Sequence, residues 1–103
     1  KRFYCRPEFS IDVEALRHAT RSEYVIESDY MDVDENRTLR SIQPLAIVFF
    51  DRSLVVLAWC ELREDYRSFR IDRIERMTVL ERSFRPRRVP MLREYLDRLE
   101  STA

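Results

Sequence analysis

Two apolar runs lie close together near the middle of this chain, over residues 45–50 and 54–60, with only Asp51, Arg52 and Ser53 between them. Each is too short for an ordinary helix and rich in β-branched and aromatic residues, so both read as buried strands joined by a tight turn. The chain on either side must supply strands to pair with them. Upstream the period is two: Tyr24, Ile26, Ser28 and Tyr30 share a face. A polar stretch over 32–36 reads as a hairpin turn, with Asn36 as its left-handed residue. A strand through Thr38, Arg40 and Ile42 follows, and Pro44 predicts a bend or an edge position. Downstream, Arg63, Glu64 and Asp65 form another polar turn, residues 66–71 alternate, and residues 77–80 give a last strand. With the segments on either side of Pro44 taken as one bent strand, five short strands joined by tight turns predict a mainly β (α+β) fold built on a small antiparallel barrel.

Helices flank this sheet. Ser10 is placed to cap a short helix, with Ile11, Ala15, Leu16 and Ala19 on one face and an end near Thr20. Residues 1–9 lack a period, contain Pro7 and read as an arm. Residues 85–88 form a basic linker. Pro90 suits the first turn of a C-terminal helix, whose apolar stripe is Met91, Leu92, Tyr95, Leu96 and Leu99. That stripe must either pack across the barrel or drive self-association. The division is therefore 1–9, 10–84 and 85–103. The predicted core comprises Ile26, Ile47, Phe49, Val55, Leu57, Phe69, Ile71 and Val79.

Composition narrows the function classes. Glycine is absent, so turns must be made by Asp, Asn, Ser and Pro, and no Gly-rich phosphate loop exists. Charged residues make up 37% yet cancel to a net +0, which argues against a generic nucleic-acid coat or a binder of acidic lipid. Lys1 is the only lysine; every other basic residue is arginine, a planar bidentate donor suited to phosphate or carboxylate. His18 is the only histidine and reads as a surface residue of the first helix, which leaves no Ser/His/Asp arrangement. Cys5 and Cys60 sit in no metal-ligand spacing, so a zinc site is not expected. Cys60, inside a strand, reads as a small buried hydrophobe. No apolar run approaches the roughly 20 residues of a membrane span. The chain begins at Lys1 without a signal-peptide pattern and reads as a reduced, cytoplasmic piece of something longer.

The densest chemistry lies over residues 59–74, where Arg63, Arg67, Arg70 and Arg73 are interleaved with Trp59, Tyr66 and Phe69. Strand alternation puts Arg67 and Phe69 on one face and Tyr66, Ser68 and Arg70 on the other. An arginine at the rim of a core is a natural anion or base-stacking group. The competing reading is a set of cross-strand salt bridges to Glu61, Glu64 and Asp72. Spacing alone leaves both open.

The text of this stretch, AWCELREDYRSFRIDRI, resembles the WYL domain of helix-turn-helix bacterial transcription regulators, in which a strand ending like AWCELR runs into DFRSFRLDRI. Tyr30, the turn at Asp34, Glu35 and Asn36, Arg40, and Pro44 with Leu45 fall at matching spacing, and the likeness covers residues 16–84. Two departures stand out: the tripeptide that names the family falls on Leu54, Val55 and Val56, and the usual turn glycine falls on Glu35. The resemblance implies an Sm-like, SH3-type five-stranded barrel with a short helix before it. It implies a ligand-sensing module rather than an enzyme, with no cofactor or metal. The ligand would be a small anionic or nucleotide effector or a single-stranded nucleic acid. A helix-turn-helix DNA-binding domain would lie elsewhere in the full-length chain. The candidate pocket carried over is Tyr30, Arg40, Trp59, Arg67, Phe69, Arg70 and Arg73, with Arg40 and Arg70 expected to matter most. The alternatives are a structural homodimerisation module and an Sm-like RNA-associated module.

Overall fold

The computed structural model describes residues 9–101. Apart from Phe9, the expected N-terminal arm, Cys5 included, lies outside the described residues. The element order is α1 (Val13–Ser22), β1 (Tyr24–Met31), β2 (Arg37–Phe50), β3 (Ser53–Cys60), β4 (Asp65–Arg70), a 3-10 turn (Ile71–Arg73), β5 (Ile74–Ser83) and α2 (Arg88–Ser101). The strands form one antiparallel sheet in the order β4-β3-β2-β1-β5. Five antiparallel strands between an N-terminal and a C-terminal helix are what the sequence predicts. Closure into a barrel is an overstatement: among the described residues no ladder joins β4 to β5. The 3-10 turn takes the chain out of the β4 ladder, and β5 then pairs with β1 instead. Ile71 and Ile74, both fully buried, fill the space at that junction.

The cap of α1 is Asp12 rather than Ser10. Its Oδ1 accepts hydrogen bonds from the Glu14 and Ala15 N–H groups at 3.0 and 3.2 Å, satisfying two of the orphan donors of the first turn. The helix runs past Thr20 to Ser22 and ends on Glu23 in the left-handed region.

Among the described residues five, Glu23, Glu35, Asp51, Arg52 and Glu64, take positive φ, so a chain without glycine accepts left-handed strain at its turns. Asp51 and Arg52, at φ 53° and 65°, make the two-residue connection that matches strand twist between β2 and β3. In the β1–β2 hairpin the left-handed residue is Glu35 (φ 63°), not Asn36. Asn36 is instead committed to the turn's hydrogen bonds: its N–H and that of Asp34 both donate to Asp32 Oδ1 at 2.9 Å. These bonds, led by the one from Asn36, hold the Asp32 carboxyl below its ordinary value.

Pro44 does not break its strand or push it to an edge. β2 runs unbroken through it in the middle of the sheet, and a register shift against β3 between Pro44 and Ala46 absorbs the missing N–H. The shift also exchanges faces: Leu45 and Ala46, adjacent in sequence, both pack on the second face, and Ile47, five residues from Ile42, shares the first with it.

The apolar residues form two cores, one on each face. On the first, Leu16 and Ala19 of α1 cover Ile26, Ile42, Val56, Ala58, Cys60, Phe69, Ile71 and Ile74. On the second, Met91 and Tyr95 of α2 cover Val25, Leu45, Val55, Leu57, Tyr66 and Phe84. Burial on both faces explains why β3 reads as an uninterrupted apolar run. Of the predicted core, Ile26, Val55, Leu57, Phe69 and Ile71 are buried and Ile47 is half-buried against the first core. Phe49 and Val79 are corrections, at 73% and 42% exposed. Phe49 stands at the end of β2 beside the turn, and Val79 lies on the edge strand β5.

The tail helix packs across the sheet. Tyr95 stacks on Tyr66 with ring centroids 5.1 Å apart and 11° between planes, and the Tyr66 hydroxyl donates to Glu94 Oε1. Arg88 Nη1 donates to the Leu45 carbonyl at 3.1 Å, fixing the start of α2. No helix is long and apolar enough to cross a membrane among the described residues.

Candidate functional site

The face covered by α1 carries the charged cluster. β4 pairs with β3 so that Val56 faces Phe69 and Ala58 faces Arg67, which places both β4 side chains on that face. β1 pairs with β2 so that Ser28 faces Arg40 and Tyr30 faces Thr38. The edge of the Tyr30 ring meets the face of Phe69, with centroids 5.0 Å apart and planes at 79°. The guanidinium carbons of Arg40 and Arg67 each lie 5.8 Å from the Phe69 centroid. One buried aromatic ring therefore gathers two cations from two different strands.

Arg40 is only 7% exposed. Its Nε donates to Thr38 Oγ1 at 3.0 Å and its Nη1 to Cys60 Sγ at 3.5 Å. A hydroxyl and a thiol are weak, neutral partners for a group with five donors. Among the described residues no carboxylate lies within salt-bridge distance of it. Arg67, half-buried, makes neither a hydrogen bond nor an ion pair among the described residues. Buried charges are ordinarily paired, because desolvating an ion costs several kcal/mol. The ring of Phe69 returns about 0.5–2 kcal/mol per cation. Arg40 and Arg67 thus hold their charge against one ring with no carboxylate in salt-bridge contact among the described residues, and Asp32 acts on Arg40 only through space.

The other predicted residues divide around it. Arg70 belongs to the site's edge: its N–H donates to the Tyr30 hydroxyl at 3.2 Å, while its guanidinium grips Asp72 through Nε (3.1 Å) and Nη2 (2.7 Å). That pairing raises the Arg70 pKa above its ordinary value. For Arg70 the salt-bridge reading is the one the geometry supports. Glu61, by contrast, pairs with Arg82 rather than with a β4 arginine. Arg73 Nη1 donates to the Asp32 carbonyl at 3.1 Å and ties the 3-10 turn to the β1–β2 hairpin; its Nε is buried without a partner. Trp59 is not brought to the cluster. It lies on the opposite face, its ring edge-on to Tyr66 with centroids 5.0 Å apart. His18 is exposed.

Two contributors escaped the sequence reading. Thr38 and Cys60 hold the Arg40 guanidinium, and Cys60 is more than a small buried hydrophobe. The signal was available in the strand register: Cys60 faces Ile42, and so stands diagonally beside Arg40 on the same face. No group of three or more His, Cys, Asp or Glu side chains able to hold a metal occurs among the described residues.

Comparison with known proteins agrees with this architecture. Among solved structures, the chain is similar to the proteasome accessory factor B/C (PafBC) of Arthrobacter aurescens, with a TM-score of 0.67 and 23% sequence identity over 75% of this chain. The likeness is one of fold, and it spans 12% of that longer chain. A sequence model of the WYL domain matches residues 12–79, more than half of the chain. Sequence and fold together establish that the chain belongs to the WYL domain family.

Proposed function

We propose that this WYL domain is the ligand-sensing regulatory module of a transcription regulator. On this reading it takes an anionic, base-bearing ligand, a nucleotide or a single-stranded nucleic acid, at Arg40, Arg67, Phe69 and Tyr30. The observation that carries the reading is the Arg40 guanidinium, buried with no carboxylate in salt-bridge contact and only Asp32 acting on it through space, while Arg37, Arg70, Arg82 and Arg98 are all ion-paired. An incoming phosphate supplies the missing charge through bidentate hydrogen bonds. A base adds stacking worth about 1–3 kcal/mol. Arg70 and Arg73 act as braces of the site, and Trp59 plays no part in it. The ligand signal passes to a helix-turn-helix domain elsewhere in the full-length chain.

The test compares Arg→Lys variants, because lysine keeps the charge and loses the fork. Titration with AMP and with a short single-stranded oligothymidylate should show binding about tenfold weaker for Arg40→Lys and Arg67→Lys, or ~1.4 kcal/mol. Arg63→Lys, a turn charge in solvent, should leave affinity unchanged. Equal and small effects at all three positions would return the cluster to a structural role.

A second reading, a homodimerisation module, is favoured by one observation. Phe49, Phe50, Leu96 and Leu99 are exposed and line a single apolar groove between α2 and the end of the β2–β3 hairpin. Sedimentation of the chain against a Phe50→Glu, Leu99→Glu variant separates the two readings.

A further inference from the structure

A cleft of about 540 Å³ opens beside the arginine cluster and shares none of its anion-seeking side chains. Its walls are Phe9, Phe49, Leu54 and Ser53, together with Arg52, Arg70 and Asp72. The size is that of a site for a small organic molecule. Phe49 is a large ring left in solvent at the end of a strand, and in the cleft it forms part of an apolar wall with Phe9 and Leu54. The polar side is specific. Arg70 is held in place by its two bonds to Asp72. Arg52 makes no hydrogen bond or ion pair among the described residues. Two guanidinium groups against one carboxylate leave a net single positive charge on the lining.

The cleft is also a product of this sequence. Leu54 stands where the family pattern has its tryptophan. It is half-buried, packed against the first core, and forms part of the cleft wall. An indole at this position would reach into space that the shorter leucine leaves open.

We infer that this cleft is a second ligand site, which takes a planar aromatic ring bearing one carboxylate. The ring lies against Phe9, Phe49 and Leu54, and the carboxylate meets the fork of Arg52. A monoanion fits the net charge of the lining. A phosphate monoester, with about −1.5 to −2 charges at pH 7, would set its second charge against Asp72. The site uses neither Arg40 nor Arg67, so it stands or falls separately from the nucleotide reading.

The experiment is calorimetric titration of the whole chain with 2-naphthoate, with naphthalene-2-methanol as the neutral comparator and AMP as the ligand of the other site. Naphthoate should bind at least tenfold more tightly than the alcohol. Arg52→Gln, a change at an exposed turn, should weaken naphthoate at least tenfold. Leu54→Trp should abolish naphthoate binding while leaving AMP unchanged, and Arg40→Lys should weaken AMP about tenfold while leaving naphthoate unchanged. If Leu54→Trp does not fold, Arg52→Gln decides the matter. Naphthoate binding that ignores Arg52→Gln, is matched by the alcohol, or falls with Arg40→Lys would overturn the inference.

Discussion

The two faces of the sheet solve the same packing problem with opposite electrostatics. On the α2 face, Trp59, Tyr66 and Tyr95 form a chain of rings, and the charges in contact with Tyr66 are paired. The Tyr66 hydroxyl bonds Glu94, and Arg98 lies 5.0 Å from the Tyr66 ring while pairing with Asp65 and Glu94. On the α1 face, Phe69 and Tyr30 also meet edge to face, yet Arg40 and Arg67 contact rings, a hydroxyl and a thiol, with no carboxylate in salt-bridge contact. A closed set of contacts adds stability. An open set gives up stability to keep binding capacity. On the proposed reading, the α2 face holds the domain together and the α1 face is kept for the ligand.

The largest test of this contrast is Tyr95→Ala. It removes the ring that anchors α2 and should cost about 3–5 kcal/mol in denaturant unfolding, the range of large aromatic truncations. A loss below about 1 kcal/mol would mean that α2 contributes little to the fold. Next comes Tyr66→Phe, which keeps the ring and removes the hydrogen bond to a carboxylate. The expected loss is about 1.5–3 kcal/mol. Burial, reinforced by Glu94, pushes the Tyr66 pKa up to about 12. The folded state therefore holds this proton more tightly than the unfolded chain does. That stability is complete below pH 10, the ordinary tyrosine value, and is lost as pH rises towards 12. Unfolding measured across this window should show a decline that Tyr66→Phe flattens. Smallest is Arg98→Ala, whose exposed ion pairs should be worth about 1 kcal/mol or less and should weaken in salt. A larger, salt-insensitive loss would show that the α2 face depends on its charges rather than its rings.

Much of the fold was legible because period and turn chemistry are local. The alternation from Tyr24 to Tyr30, the two apolar runs and the polar turns placed all five strands. The misses came from non-local effects. Pro44 reads as an interruption until the register shift against β3 is known. Phe49 has the composition of a core residue, but its place at the hairpin end leaves it in solvent. At Glu35, composition favoured Asn36 as the left-handed residue, whereas the family's glycine position marked the right one. In the site, alternation correctly separated Arg67 and Phe69 from Arg70, and the same rule applied to β3 would have set Trp59 apart from Phe69. It could not tell which arginine finds a carboxylate. Asp72 is two residues from Arg70 and captures it, and Arg67 is left with Phe69. That choice depends on how the 3-10 turn bends the chain after β4.

The central claim is that Arg40 is kept for a ligand rather than for the fold, and Arg40→Met tests it most directly. Methionine fills similar space without the charge. A buried ion with no salt-bridge partner carries a desolvation cost of several kcal/mol, which methionine does not. Unfolding should be followed with and without oligothymidylate. The account predicts that Arg40→Met alone is at least as stable as the parent. It also predicts that the parent gains about 2.7 kcal/mol from ligand at a hundred times its dissociation constant, and that the variant gains almost nothing. A variant that is several kcal/mol less stable yet still stabilised by the oligonucleotide would show that Arg40 is a structural tie, and would contradict the account.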